Sequence, residues 1–272
     1  MRYEEFRPAP PLDKFVKCFW TLESASSQSP SAERILPDGC TEIVFHNGDP
    51  FNQHNSDGTT QRQPLTLLVG QMRGHLLIQP TGVVRVLGVR FWPGGAYPFV
   101  SVPQNEIAGQ VVPLDSIWGK PGCDLHSRIF DAAGPAEGVK QIERMLLSRL
   151  YDFKDLDHGL LKTTDLIVRS GGRVSIESLA DRLGISLRKL DRVFNARVGL
   201  TPKGLCRVIR FQQVFRMLER DQQIRDWAQI AVVCGYYDQA HFIKEFSAFT
   251  GLTPIAYFSE QNAMSDYFTS SQ

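Results

Sequence analysis

Between Ser186 and Asn195 the chain sets hydrogen-bonding side chains at helical spacing. Arg188, Asp191, Arg192 and Asn195 stand at i, i+3, i+4 and i+7, which is one face of an α-helix. Leu190 and Phe194, four residues apart, belong to the opposite face and point inward. The polar set suits the edges of base pairs: arginine offers paired donors to guanine O6 and N7, asparagine matches adenine, and aspartate accepts from cytosine N4. Ser186 caps the start of this helix, while Lys189 and Arg197 at its flanks are placed for phosphate oxygens. A second set, Gln239, Ala240, His241, Ile243, Lys244 and Ser247, surrounds Phe242 and Phe246. It holds fewer donors, and Ala240 and Ile243 fit thymine methyl groups.

Both sets need a scaffold, and the sequence writes that scaffold twice. The first copy runs Ile176-Glu-Ser-Leu-Ala180, Leu183-Gly-Ile-Ser186, Leu190, Phe194 and Gly199-Leu-Thr-Pro202. The second runs Asp226-Trp-Ala-Gln-Ile-Ala231, Cys234-Gly-Tyr-Tyr-Asp238, Phe242, Phe246 and Gly251-Leu-Thr-Pro254. From Ser186 and Asp238 onward the offset is constant at 52 residues, the mark of a duplicated unit. Each copy has the grammar of a helix-turn-helix. An apolar pair ending in alanine allows close approach, Gly184 or Gly235 turns the chain left-handed, and Ser186 or Asp238 caps the next helix. Gly199 and Gly251 end that helix, and Thr-Pro opens the following one.

The stretch Gly235-Tyr-Tyr-Asp-Gln-Ala-His-Phe-Ile-Lys-Glu-Phe246, continued by Gly251-Leu-Thr-Pro254, resembles the signature of the AraC/XylS family of bacterial transcription regulators. The resemblance covers residues 155–260 and implies two helix-turn-helix subdomains joined by a long helix. Residues 202–219, with Leu205, Val208, Ile209, Val214 and Leu218, supply that helix, and Asp221 to Gln223 break it.

Charge follows the same division. Residues 162–225 hold 14 Lys/Arg against 6 Asp/Glu, residues 1–161 hold 15 against 18, and residues 226–272 hold 1 against 5. The basic block coincides with the first unit and the joining helix, where a phosphate footprint belongs. No apolar run approaches the roughly 18 residues of a membrane helix, and the N-terminus lacks a signal-peptide core; a cytoplasmic location is expected. Five scattered cysteines without a CxxC spacing speak against disulfides or a cysteine zinc site. His46, His54 and His75 lack an HxH pair or a nearby Glu, so neither a metal nor a cofactor is expected. No nucleophile elbow or phosphate-cradling glycine loop appears, and no catalytic residues are assigned.

The first 150 residues read as β-rich. A short helix turning into a strand spans Leu12 to Leu22, a Ser-rich loop spans Ala25 to Ser31, and Pro37-Asp38-Gly39 turns into a strand at Ile43–Phe45. Gly48 to Gln63 reads as a polar hairpin loop, and strands follow at Leu65–Val69, His75–Gln79 and Val83–Phe91. The segment Phe91-Trp-Pro-Gly-Gly-Ala-Tyr-Pro-Phe99 ends the sheet. Short helical turns (Pro103–Val112, Leu114–Trp118) and two helices (Leu125–Ala132, Pro135–Leu150) come next. The last helix carries an apolar stripe, Ile142, Met145, Leu146 and Leu150, for docking on the sheet or on a second copy.

The expected fold is α+β. A β-rich barrel or sandwich with trailing helices (1–150) leads through a linker (151–156) into an all-α tandem helix-turn-helix domain (157–262) and a tail (263–272). The expected function is a sequence-specific, DNA-binding transcription regulator that reads two adjacent major-groove segments about one helical turn apart. The N-terminal domain would sense a signal or mediate dimerisation. Double-stranded DNA is the expected partner, with a small-molecule effector, a homodimer and, for an activator, RNA polymerase as further candidates. The alternative is an enzyme or ligand-binding protein in the first half with a DNA module attached.

Overall fold

The computed structural model describes residues 1–24, 31–220 and 226–259. The Ser-rich loop, the break at Asp221 to Gln223 and the tail at 263–272 therefore fall wholly or mostly outside the described residues. Ten strands come first: β1 (Arg2–Phe6), β2 (Val16–Ser24), β3 (Glu33–Ile35), β4 (Thr41–His46), β5 (Asn52–His54), β6 (Thr60–Arg62), β7 (Thr66–Val69), β8 (Leu76–Gln79), β9 (Val84–Phe91) and β10 (Val111–Pro113). They form a six-stranded sheet in the order β1-β2-β9-β4-β7-β10 and a four-stranded sheet in the order β3-β8-β5-β6. Both are antiparallel and neither closes on itself, so the architecture is a two-sheet sandwich rather than a barrel.

The six-stranded sheet is covered on both faces, which is why β9 alternates poorly in sequence. Phe19, Ile43, Phe45, Leu87, Val89 and Phe91 face the helices. Trp20, Leu22, Val44 and Val86, one residue out of step with them, face the four-stranded sheet. Gly88 is fixed by this second face: a Cβ there would stand 2.2 Å from the Trp20 ring. The helical layer is α1 (Gln104–Ile107), α2 (Asp115–Trp118), α3 (Lys120–Phe130) and α4 (Pro135–Asp152). Ile142 and Leu146 are fully buried and Met145 and Leu150 partly so, against the chain's own sheet.

Two expectations for this half are corrected. Gly48 to Gln63 is not a loop throughout, because β5 and β6 pair within it and β5 also pairs β8. Their side chains are all polar, exposed on β6 and buried at Gln53 of β5, which conceals the alternation. The helical turn expected at Pro103–Val112 stops at Ile107, and β10 then joins β7 at the sheet edge.

The C-terminal half is α5 (His158–Arg169), α6 (Ile176–Leu183), α7 (Leu187–Val198), α8 (Pro202–Arg220), α9 (Trp227–Val233), α10 (Gln239–Thr250) and α11 (Pro254–Ser259). One core runs through it. Leu190 and Phe194 from α7, Phe211 and Phe215 from α8, Ile230 from α9, and Phe242 and Phe246 from α10 all belong to it. Leu36 and Tyr97 of the β-rich half enter the same core.

Candidate nucleic-acid interface

The local chemistry of the repeat fixes both candidate reading helices. Gly184 lies at φ 62° and Gly235 at φ 82°, the left-handed region that favours glycine. Ser186 Oγ then accepts the Lys189 N–H at 3.3 Å, and Asp238 Oδ1 accepts the His241 N–H at 2.7 Å. Leu190, Phe194, Phe242 and Phe246 are fully buried, which sets the rotation of each helix and turns its opposite face outward.

On α7 that face carries Arg188, Lys189, Asp191 and Arg192, all exposed, with Asn195 half-buried. Asn195 Nδ2 donates to the Asp191 carbonyl at 2.9 Å, so its side-chain oxygen is the free end. Arg182, Arg188, Lys189, Arg192 and Lys203 are exposed and form no ion pair among the described residues. Their charge is available to phosphates. On α10, Gln239, Ala240 and Lys244 are exposed and Ile243 is half-buried. His241 is engaged within its own unit: Nδ1 accepts the Tyr237 N–H at 3.3 Å, and Nε2 lies 3.4 Å from Glu245. Glu245 also receives Arg207 Nε of α8 at 2.6 Å.

Arg197, expected at phosphates, is used otherwise. Its guanidinium donates to Asp155 Oδ2 at 2.5 Å and to Asp157 Oδ2 at 2.9 Å, with Tyr97 beneath it at 5.2 Å. The Tyr97 hydroxyl in turn accepts the Asp157 N–H at 2.6 Å. This cluster ties the end of α7 to the segment joining the two halves. Periodicity placed Arg197 near the solvent face but carried no sign of carboxylates some forty residues earlier.

A seam between the halves was likewise invisible in the sequence. Gln212 Nε2 donates to the Pro37 carbonyl at 2.7 Å. A Cβ on Gly39 would meet Leu205 of α8 at 3.1 Å. The segment 71–76 reaches both candidate reading helices at the glycines that end them. Gly199 faces the Gln104 carbonyl oxygen and Gln71 (3.0 and 3.2 Å from a Cβ placed there), and Gly251 faces the His75 ring (2.8 Å). His75 is hydrogen-bonded to the backbone of Phe249, and desolvation of its ring lowers its pKa.

Met72 and Leu76 of the same segment line a cavity between the two sheets, together with Leu36, Asp38 and Cys40. At one end of it Arg90, buried, is held by Glu42 Oε1 and lies 3.6 Å from Asp38. His46 is also buried, and its Nε2 donates to Gln63 Oε1 at 3.2 Å. His46, His54 and His75 sit apart: His54 contacts Thr60 and Gln79, and His75 lies at the seam. Among the described residues no group of three His, Cys, Asp or Glu side chains is arranged to hold a metal ion, and no helix is long and apolar enough to cross a membrane.

Comparison with known proteins adds to this geometry. Residues 179–260 match the family model described as a helix-turn-helix domain, and residues 4–113 match a domain of unknown function, DUF6597. An uncharacterized HTH-type transcriptional regulator of Haemophilus influenzae is 32% identical over 82 residues; the match spans 30% of this chain and 27% of that protein. Among solved structures, ToxT from Vibrio cholerae overlays with a TM-score of 0.48 at 11% identity, covering 89% of this chain and 98% of that one. A structure of ToxT with an unsaturated fatty acid bound overlays at 0.43, with 10% identity, covering 87% and 92%.

Proposed function

We propose, starting from residues 179–260 as a helix-turn-helix domain of the AraC type, that the chain is a sequence-specific transcription regulator. Helix α7 reads one major-groove segment and α10 the next, about one helical turn away. Arg188, Asp191, Arg192 and Asn195 contact bases, and Lys189 contacts phosphate. Gln239, Ala240, Ile243 and Lys244 form a weaker second reader, with Ser186 and His241 holding the starts of the two helices. Two copies associating through residues 1–150, and contact with RNA polymerase, extend this reading.

The N-terminal domain acts as the sensor. The observation that carries this is the segment 71–76, whose Met72 and Leu76 line the inter-sheet cavity while Gln71 and His75 rest on the glycines ending the two readers. A ligand that moves one side of this segment changes how the readers are held. The matched DNA-binding domain and the docking of the sandwich onto it favour this over an enzyme with a DNA module attached. The test is binding of the full chain to duplex DNA across a salt series, followed by footprinting on a selected site. Steep salt dependence and two protected segments one turn apart are expected. Salt-independent binding, or one protected segment, would remove the reading.

A further inference from the structure

The cavity between the sheets has a chemical bias of its own. Its wall is mostly aliphatic and aromatic, and its charged groups, Asp38, Glu42 and Arg90, gather at one end. Two carboxylates face one guanidinium. Arg90 is 1% exposed, hydrogen-bonds Glu42 and has Asp38 3.6 Å away. Asp38 Oδ1 accepts the Cys40 N–H at 2.8 Å, but Oδ2 is buried without a hydrogen-bond partner. The other titratable groups on the wall are uncharged: burial keeps the Cys40 thiol protonated and pushes the His46 pKa down to about 4. With Nε2 turned to Gln63 Oε1, its proton sits there and Nδ1 is a second acceptor without a partner. Burial raises the Glu42 carboxyl above its ordinary value although Arg90 opposes the shift, and Asp38 adds to it. Lys17 acts on Glu42 from outside; its ammonium lies over Trp92 and does not line the cavity.

From this excess of carboxylates over guanidinium we propose that the cavity binds a small organic ammonium ion, with its charged end at Asp38 and Glu42 and a short apolar body along Val44, Leu67 and Val86. An ammonium brings three donors and the missing positive charge. A carboxylate would confront two carboxylates, and a hydrocarbon would leave the buried oxygens unpaired. The cavity volume is about 60 Å³, under half of the roughly 150 Å³ that accommodates benzene, so the whole ion is on the order of three non-hydrogen atoms. Asp38 stands between Pro37, which accepts from Gln212, and Gly39, which packs on Leu205. A cation drawn to Asp38 therefore pulls on the seam with α8. The assignment rests on reading the N-terminal domain as a sensor.

Titration of the full chain with ethylammonium, ethanol and acetate, by calorimetry and by thermal shift, tests it. The ammonium should saturate and raise the melting temperature, the alcohol should bind at least tenfold more weakly, and acetate should not bind. Asp38→Asn and Glu42→Gln, each checked for an unchanged circular dichroism spectrum, should each reduce the preference for ammonium over alcohol at least fivefold. Acetate binding as tightly as the ammonium, or no saturable binding of the ammonium, overturns the assignment, as does an undiminished preference in both variants. Salt-dependent DNA binding in the absence of ammonium binding would leave the regulator reading standing; ammonium binding by a chain that ignores DNA would do the reverse.

Discussion

Gln212, midway along α8, donates its side-chain amide to the Pro37 carbonyl at 2.7 Å, across 175 positions of sequence. Both ends of this bond are buried, so removing the donor leaves a carbonyl without water or partner, a loss of about 1–3 kcal/mol. Gln212→Leu should therefore loosen the sandwich from the helical domain while leaving each core intact. Calorimetry of the variant should show the main transition lowered or split in two. An unchanged single transition would mean that the seam does not couple the halves.

The second prediction concerns how the two readers share the work. Exposed unpaired cations cluster on α6 to α8, whereas α10 offers Lys244 alone within an acidic stretch. Arg192→Ala should weaken binding to the selected site by about 1–3 kcal/mol, and Lys244→Ala by less. Equilibrium titrations of both variants on one duplex decide the order. A larger loss at Lys244 would reverse it.

Arg197 and Lys189 separate phosphate binding from domain docking. Lys189 is exposed, while Arg197 is 24% exposed and holds Asp155 and Asp157. Lys189→Ala should lower the slope of log affinity against log salt by about one. Arg197→Ala should leave that slope unchanged and instead speed proteolysis in the segment 153–157. A reduced slope in Arg197→Ala would return it to the phosphate-contacting set.

What the sequence disclosed depended on how far apart the interacting residues lie. The turn glycines, caps and inward phenylalanines of the tandem units act over a few residues, and Gly184, Ser186, Phe194 and their counterparts take the conformations their types demand. Strands β5 and β6 carry only polar side chains, exposed on β6 and buried at Gln53 of β5, and have no hydrophobic period to read. His75 against Gly251, or Arg197 against Asp155, joins residues whose local sequence contains nothing of the partner. Periodicity assigns faces; it does not say what covers them.

Phe246 tests the shared core directly. It is fully buried and touches Phe211 and Phe215 of α8, Phe242 of its own helix and Tyr257 of α11. Phe246→Ala should cost about 3–5 kcal/mol, and DNA binding should fail through unfolding of the second unit. Denaturant unfolding of the variant measures the loss. Unaltered stability would place Phe246 outside the core.

His46 gives the sandwich a dependence on acid. It is buried beside Phe51 and Gln63, His126 Nε2 donates to its carbonyl, and Arg62 is the nearest guanidinium acting on it. Burial lowers its pKa to about 4, whereas an unfolded histidine titrates near 6.5. Between these values the unfolded chain binds a proton that the folded chain refuses. Stability from this group is therefore whole above pH 6.5 and drains away as the pH falls toward 4. Between pH 7 and pH 5 the loss amounts to about 2 kcal/mol. His75, whose pKa burial also lowers, adds a separate contribution at the seam that a His46 variant retains. Denaturant unfolding at pH 7 and pH 5 should thus show the parent chain losing about 2 kcal/mol more than His46→Gln. Equal losses in the two proteins would mean that His46 takes up its proton in the folded state and that its pocket is open to water.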